Sequence, residues 1–324
     1  MAIALDSSNL VTIYGGSGFL GRHVTQALAR TGCRIRIAVR RPDLAGHLQP
    51  LGGVGQIHAV QANLRYPGSV LQAAEGADAV INLVGILFEA GKQKFSSVHA
   101  EGAGNVARAA KAAGARALVH VSAIGADARA PSLYAQSKAA GEAYVRKAFP
   151  EAVILRPSIV FGPEDDFFNR FAAMARMSRM LPLIGGGKTR FQPVYAGDVA
   201  RAVVAVLGDR AAQGKVFELG GPEILTFKQL LERVLLHSGR RALLLPVPFG
   251  VARFMARFMQ LLPSPMLTVD QVRLLERDNV VSMSANAKKL NLKGLGIDPV
   301  PIDAVVPEYL VRFRAHGEFA EFRR

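Results

Sequence analysis

The run Gly15-Gly-Ser-Gly-Phe-Leu-Gly21 is the sharpest chemical signal in the chain. Gly16, Gly18 and Gly21 satisfy G-x-G-x-x-G, while Gly15, Gly18 and Gly21 satisfy G-x-x-G-x-x-G. Such a turn is tight, and a Cβ in it would push a pyrophosphate away from the backbone. A β-branched run precedes it and a helical run follows. The helix start therefore offers unpaired N–H groups and partial positive charge to phosphate. A site of this kind that takes NAD carries an Asp or Glu about 20 residues on, which accepts from the ribose hydroxyls. Here that place reads Val39-Arg40-Arg41-Pro42. Two guanidinium groups suit a 2′-phosphate. The expectation is NADP(H) in preference to NAD(H), with arginines that simply face solvent as the alternative.

The other reactive residue types mostly exclude chemistry. His23, His47, His58, His120, His237 and His316 show no metal-ligand spacing and there is no H-E-x-x-H, so no metal site is expected. No G-x-S-x-G elbow supports a serine hydrolase. The single cysteine, Cys33, excludes a disulfide framework and a Cys-rich zinc module, and fits a reducing compartment. Glu164, Asp165 and Asp166 follow Gly162-Pro163 and read as a solvated turn rather than a cation site.

The elements that must hold the glycine turn form a regular alternation. Strands are predicted over Leu10–Tyr14, Arg34–Val39, Ile57–Val60, Ala79–Val84, Ala117–Ser122 and Ala152–Leu155. Helices are predicted over Gly21–Arg30, Ala100–Ala113 and Ser137–Ala148. This spacing is that of a parallel sheet covered on both faces, and right-handed crossovers make it doubly wound. After Pro157 the texture changes: Gly197–Leu207 and Thr226–His237 read as helices and Val216–Leu219 as a strand. The expected division is a dinucleotide-binding domain at 8–160, completed by a strand near 215–220, and a smaller α/β substrate or partner domain at 161–324.

Composition bounds the class. Half of the 324 residues are hydrophobic, which rules out a disordered chain. No apolar run reaches the roughly 18 residues a membrane-spanning helix needs, and no signal peptide is legible at the N-terminus. The net charge of +15 points to anionic partners, but the absence of Trp and of any recognition motif disfavours nucleic acid.

Four features in order resemble the extended and atypical branch of the short-chain dehydrogenase/reductase superfamily. They are Gly15-x-x-Gly18-x-x-Gly21, Asn82-Leu-Val-Gly85, Tyr134-Ala-Gln-Ser-Lys138 and Arg156-Pro-Ser-Ile-Val-Phe-Gly-Pro163. Phe191-Gln-Pro-Val-Tyr-Ala-Gly-Asp198 and Glu218-Leu-Gly-Gly221 are similar to its second-half signatures. The resemblance implies a tyrosine that exchanges a proton with the substrate oxygen, Tyr134, and a lysine one turn on, Lys138, that lowers the tyrosine pKa and holds the nicotinamide ribose. It implies a helping hydroxyl, Ser122, although extended members often place it two residues later, where this chain has Ile124. Extended members often carry Asn where this chain has His99, so a structural hydrogen bond is expected there. Cofactor contacts are implied from Gly15, Ser17, Gly18, Phe19, Leu20, Arg40, Arg41, Asn63, Leu64, Val84, Gly85, Lys138, Pro157 and Ile159.

Within the superfamily, Phe149-Pro-Glu-Ala-Val-Ile-Leu-Arg-Pro-Ser, Phe161–Asn169, Leu245-Pro-Val-Pro-Phe249 and Asp270–Val281 resemble the group of the nucleotide-binding accessory subunit of respiratory complex I, its bacterial relatives and a ubiquinone-biosynthesis protein. That implies a bound, structural NADP(H) and partners in a membrane-bound respiratory or quinone-biosynthesis complex. The address would be the cytoplasmic, reducing side, peripheral to the inner membrane. An active NADP-dependent reductase or epimerase-type enzyme on a small or lipid-like substrate is the alternative.

One second-half segment is unusual. Phe254, Phe258 and Leu261 recur at helical spacing within Phe249–Leu262, with Met255, Met259 and Leu262 beside them and Arg253 and Arg257 one turn apart. A stripe like this ordinarily packs into the protein's own core. A basic amphipathic helix also suits a membrane surface.

Overall fold

The computed structural model describes residues 5–263 and 265–315, and His316 lies outside them. In chain order the main elements begin β1 Leu10–Tyr14, α1 Phe19–Ala29, β2 Arg34–Val39, β3 Ile57–Gln61, α2 Pro67–Ala74 and β4 Ala79–Asn82. A π-turn over Ser96–Glu101 runs into α3 Gly102–Ala112, followed by β5 Ala117–Val121, α4 Leu133–Ala148 and β6 Val153–Pro157. Then come α5 Phe167–Met177, β7 Met180–Ile184, α6 Ala196–Gly208, β8 Val216–Leu219, α7 Phe227–Ser238, β9 Leu243–Val247 and α8 Phe249–Met259.

Seven strands form one sheet in the order β8-β6-β5-β4-β1-β2-β3, every pairing parallel. The order reverses between β1 and β4, the arrangement of a doubly wound sheet. Both faces are covered, which is why β4 is buried at every residue and β1 at all but its first. On one face the filler is mostly small: Ala73, Ala74, Ala103, Ala107 and Ala110 pack around Val70, Val80, Val106 and Leu118. Alanine lets α2 and α3 lie close to the sheet without leaving voids.

The chain clusters into two units. The first comprises residues 1–157, 197–219 and 282–298. A boundary at 161, completed only by a strand near 215–220, would leave 197–214 and 282–298 to the second part. They return to the first because β8 pairs with β6, Val216 opposite Ile154, and Glu218 N–H donates to Leu290 O at 3.0 Å.

The second unit is built around a core that includes Phe161, Phe168, Phe191, Phe227, Leu230, Leu231 and Leu310. β7 and β9 form a parallel pair in it, Leu243 opposite Met180. Asp165, expected on a solvated turn, is buried. Its Oδ1 accepts from Phe168 N–H at 2.6 Å and Asn169 N–H at 3.2 Å, and its Oδ2 from Gly162 N–H at 3.2 Å and the Tyr309 hydroxyl. The carboxylate is consumed satisfying the orphan donors at the start of α5. Among the described residues no group of acids, histidines or cysteines could hold a metal ion, and no helix is long and apolar enough to cross a membrane.

Helix α8 departs from the usual burial pattern. It docks through Ala252 and Ala256, exposed by 1% and 0%, while Phe254, Phe258 and Leu261 are 66%, 60% and 79% exposed. Phe249 packs against the core at the start of the helix, while the Phe254 and Phe258 stripe that would ordinarily enter the core faces outward.

An ion pair fixes α4 against the sheet. Glu142 is 1% exposed, and Arg156 on β6 donates to both of its oxygens, Nε to Oε1 at 2.8 Å and Nη2 to Oε2 at 2.7 Å. Arg146, one turn along α4, adds a third contact at 3.1 Å. Removing one partner of such a pair strands a buried charge. Arg156→Met is therefore expected to lower unfolding stability by about 3 kcal/mol. A urea titration checks this, and a loss under about 1 kcal/mol would mean that Arg146 alone satisfies the carboxylate.

Candidate cofactor and proton-transfer site

The glycine turn lies between β1 and α1. Gly18 caps α1 without a side-chain hydrogen bond, and no acid sits in the first helical turn, so its N–H groups and positive end are uncompensated. A Cβ at Gly21 would stand 2.4 Å from Gly16 O, so only glycine lets the helix start this close to the turn. At Gly18 the nearest atom to such a Cβ is Gly15 O at 3.5 Å, which leaves the turn open on that side. This is a cradle whose backbone can approach a pyrophosphate directly. Phe19 and Leu20 are the first residues of α1, and Phe19 meets His23 edge-on.

At the end of β2 the two arginines differ. Arg41 donates to Asp43 through Nε at 3.0 Å and Nη2 at 2.7 Å, so its charge is already matched. Arg40 lines a cavity of about 720 Å³ with Arg36, Gln61, Asn63, Tyr66 and Ser69. The Arg36 guanidinium is turned to the Ala73 and Glu75 carbonyls. That leaves Arg40 as the cation at this mouth with no ion-pair partner among the described residues. Asn63 is held rigidly: its Oδ1 accepts from Arg65 N–H at 3.2 Å, and its own N–H donates to Ser69 Oγ at 3.1 Å. Leu64 is 7% exposed and packs against Gly102, so its side chain belongs to the core.

Tyr134 and Lys138, the residues expected to transfer a proton, stand on α4, which begins at Leu133 rather than Ser137. The Ser132 side chain caps it by accepting from Ala135 N–H at 3.2 Å, so Tyr134 lies inside the helix. Lys138 follows one turn later, with Nζ 5.8 Å from the Tyr134 ring centroid and 3.4 Å from Val121 O. A Cβ on Gly85 would be 3.3 Å from that Nζ, so the loop after β4 passes directly over the lysine. In the same loop Val84 N–H donates to Asn82 Oδ1 at 3.1 Å.

His99 ties this loop to α4. Its Nε2 accepts from Ile86 N–H at 2.9 Å, so the ring proton is on Nδ1, which donates to Ser137 Oγ at 2.9 Å. Ser137 Oγ in turn donates to Tyr134 O at 2.7 Å. Phe95 stacks on the His99 ring and meets Tyr134 edge-on. The approach is close enough that a Cβ at Gly141 would lie 2.2 Å from His99 O. No sequence signal points to His99, Ser137 and Phe95 as a set, because their association depends on that helix contact.

His120 is a second histidine that spacing alone passes over. The strand register places it beside Asn82, whose Nδ2 donates to His120 Nδ1 at 3.2 Å. The proton is then on Nε2, which is buried without an acceptor, as is Ser122 Oγ. Leaving such groups unpaired costs about 1–3 kcal/mol each, a cost that a bound polar ligand or water removes.

Burial sets the charge states. Desolvation, then the Lys138 charge, pulls His99 down to about 2 and His120 down to about 3, so both rings are neutral. Desolvation lowers Lys138 to about 8, against the opposing pull of Glu142, and pushes Tyr134 up to about 12. At neutral pH the site therefore holds an ammonium, a protonated phenol and two neutral imidazoles. Of the remaining expected contacts, Pro157 ends β6 in the first unit, while Ile159 lies in the second unit against its core.

Comparison with known proteins agrees with this architecture. The NAD dependent epimerase/dehydratase family matches residues 11–220. The chain is 34% identical over 323 residues to the mitochondrial NADH dehydrogenase (ubiquinone) 1 alpha subcomplex subunit 9 of Arabidopsis thaliana, spanning 96% of this chain and 79% of that protein. It is 37% identical over 205 residues to the ceramide reductase of Caulobacter vibrioides, spanning 63% of this chain and 62% of that one. The fold superposes on the dTDP-glucose 4,6-dehydratase DesIV of Streptomyces venezuelae with a TM-score of 0.72, at 20% identity and coverage of 97% and 98%. With a seven-stranded parallel sheet and a nucleotide-binding turn after its first strand, the chain belongs to the NAD dependent epimerase/dehydratase family.

Proposed function

We propose that this chain binds NADP(H) in its first unit and serves membrane-bound respiratory or quinone-handling machinery. The observation that carries the cofactor choice is Arg40: an unmatched cation at the end of β2, beside a cavity, with no acid in the place where a ribose-binding carboxylate would stand. The Gly15–Leu20 turn would receive the pyrophosphate, and Lys138 the nicotinamide ribose. The relation to respiratory machinery is supported by similarity along nearly the whole chain to a subunit of NADH dehydrogenase.

A second reading, a reductase, is supported by the Tyr134–Lys138 pair and by the similarity to a ceramide reductase. The reduced nicotinamide supplies a hydride when bound. The chain's own part is to deliver a proton. Burial pushes the Tyr134 phenol up to about 12 with no lowering by Lys138, contrary to what the resemblance implies. It is therefore protonated at neutral pH and holds the proton a carbonyl oxygen would take, and the Lys138 ammonium would stabilise the phenolate left behind. Ser122 Oγ, buried and unpaired, is free to bond the same oxygen.

Titration with NADPH and NADH at fixed ionic strength tests the cofactor choice. NADPH is expected to bind more tightly, and Arg40→Gln to reduce that preference by about tenfold or more, the worth of a charge-assisted bond. Arg41→Gln should matter less, since Asp43 already holds that guanidinium. Equal affinities for the two nucleotides would overturn the assignment.

Nucleotide oxidation in the presence of carbonyl and quinone acceptors separates the two functional readings. A tightly held nucleotide that is never oxidised favours the first. If turnover occurs, Tyr134→Phe should abolish it with nucleotide affinity nearly intact, and Lys138→Met should damage both. The pH profile has a definite sign: Lys138 carries its charge below about 8, so turnover falls as pH rises through that value. A rate that stays flat from pH 7 to 9 would remove Lys138 from the proton-transfer step.

A further inference from the structure

We propose that the outer face of α8 is a lipid-docking surface that inserts its large apolar side chains into an anionic bilayer. Every residue it uses lies in the second unit, so it stands independently of the nucleotide site.

The first observation is an inverted helix. Ala252 and Ala256 face inward, whereas Val251, Phe254, Met255, Phe258, Leu261 and Leu262 are 47% to 79% exposed. Val251, Phe254, Met255 and Phe258 fall at i, i+3, i+4 and i+7 on α8, and Leu261 and Leu262 follow in the turn beyond its last residue, Met259. A contiguous exposed apolar stripe of this kind marks an interaction surface more often than singly scattered residues do. Phe254 and Phe258 are in edge-to-face contact, with centroids 5.2 Å apart, so they form a ready wedge.

The second observation is charge, and it selects the occupant. No Asp or Glu occurs between Glu232 and Asp270, the stretch containing β9 and α8. None occurs between Asp166 and Asp198, the stretch containing α5 and β7, which pairs with β9. Arg240, Arg241, Arg253 and Arg257 lie in the first of these, and Arg179 directly precedes β7. Arg253 is shared with Glu276 at 3.4 Å, whereas Arg257 has no ion-pair partner among the described residues. A second copy would bring another face of the same net positive sign against this one, whereas anionic headgroups complement it. An anionic bilayer satisfies both requirements: the stripe enters the acyl boundary, and the arginine stems snorkel toward the headgroups.

The chain contains no tryptophan, so Phe258→Trp in the full protein provides a single reporter. The probes are vesicles of phosphatidylcholine alone and of phosphatidylcholine with phosphatidylglycerol, at low and high salt, with and without brominated acyl chains. We expect co-sedimentation with the anionic vesicles, a blue-shifted emission quenched by bromine, and partial retention at high salt. Arg257→Gln should weaken partitioning about fivefold, and the double variant Phe254→Ser, Phe258→Ser should lose the part that survives salt. NADPH titration of each variant reports whether the first unit is intact, and its outcome is separate from lipid binding. The proposal is overturned by a protein that stays in solution with anionic vesicles at low salt. It is equally overturned by bound protein whose tryptophan is not quenched, which is charge attraction alone, or by a lipid-free blue shift that grows with protein concentration, which is self-association.

Discussion

Helix α4 lies so near the chain at His99 that residue 141 has no room for a side chain, its Cβ position being 2.2 Å from a backbone oxygen. Much of the first unit's chemistry follows from this contact. Because α4 is that close, Ser137 reaches His99, His99 reaches Ile86, and the loop carrying Gly85 is drawn over Lys138. The Glu142–Arg156 pair, one residue on from position 141, locks the same helix to β6. Tyr134, Lys138, Glu142 and Arg146 recur every four residues and so share one stripe. The end of α4 that carries Tyr134 and Lys138 and the end that carries Glu142 are therefore one rigid object.

The polar groups along that stripe are arranged so that few charges are buried. Two histidines are kept neutral, and each spends its acceptor nitrogen on a fixed donor, Ile86 N–H or Asn82 Nδ2. One ammonium remains, with Glu142 the carboxylate that most favours its charge. A second cation nearby would raise the cost of the Lys138 charge further, so the neutrality of the two imidazoles helps to keep the lysine protonated near neutral pH.

Much of the sheet was legible in the sequence because its strands are short β-branched runs bounded by glycine and polar residues. The spans Leu10–Tyr14, Arg34–Val39 and Val216–Leu219 coincide with β1, β2 and β8. The glycine turn was legible for the same reason: its chemistry is local. Features that depend on tertiary contact were not. Helix α2 is only 8 residues and held by the alanine-rich core, and α4 extends back to Leu133 because Ser132 caps it. The pairing of Arg41 with Asp43 distinguishes two arginines that look equivalent as letters. Periodicity over Phe249–Leu262 defines a stripe but not whether the stripe faces in or out. Which side is inward depends on the space beneath Ala252 and Ala256.

The π-turn at Ser96–Glu101 has a consequence for how this region can change by insertion or deletion. Such a turn holds about one residue more than the α-helix that would replace it. Deleting one residue there would rewind the segment, turning Phe95 and His99 about 100° around the axis relative to the face where Ala103, Ala107 and Ala110 meet the sheet. The extra residue thus acts as a phase adjuster, letting one continuous helix present its α4-side ring and its sheet-side alanines in independent directions. Substitutions can accumulate on either side of it, whereas a single-residue change of length would break the registration of both.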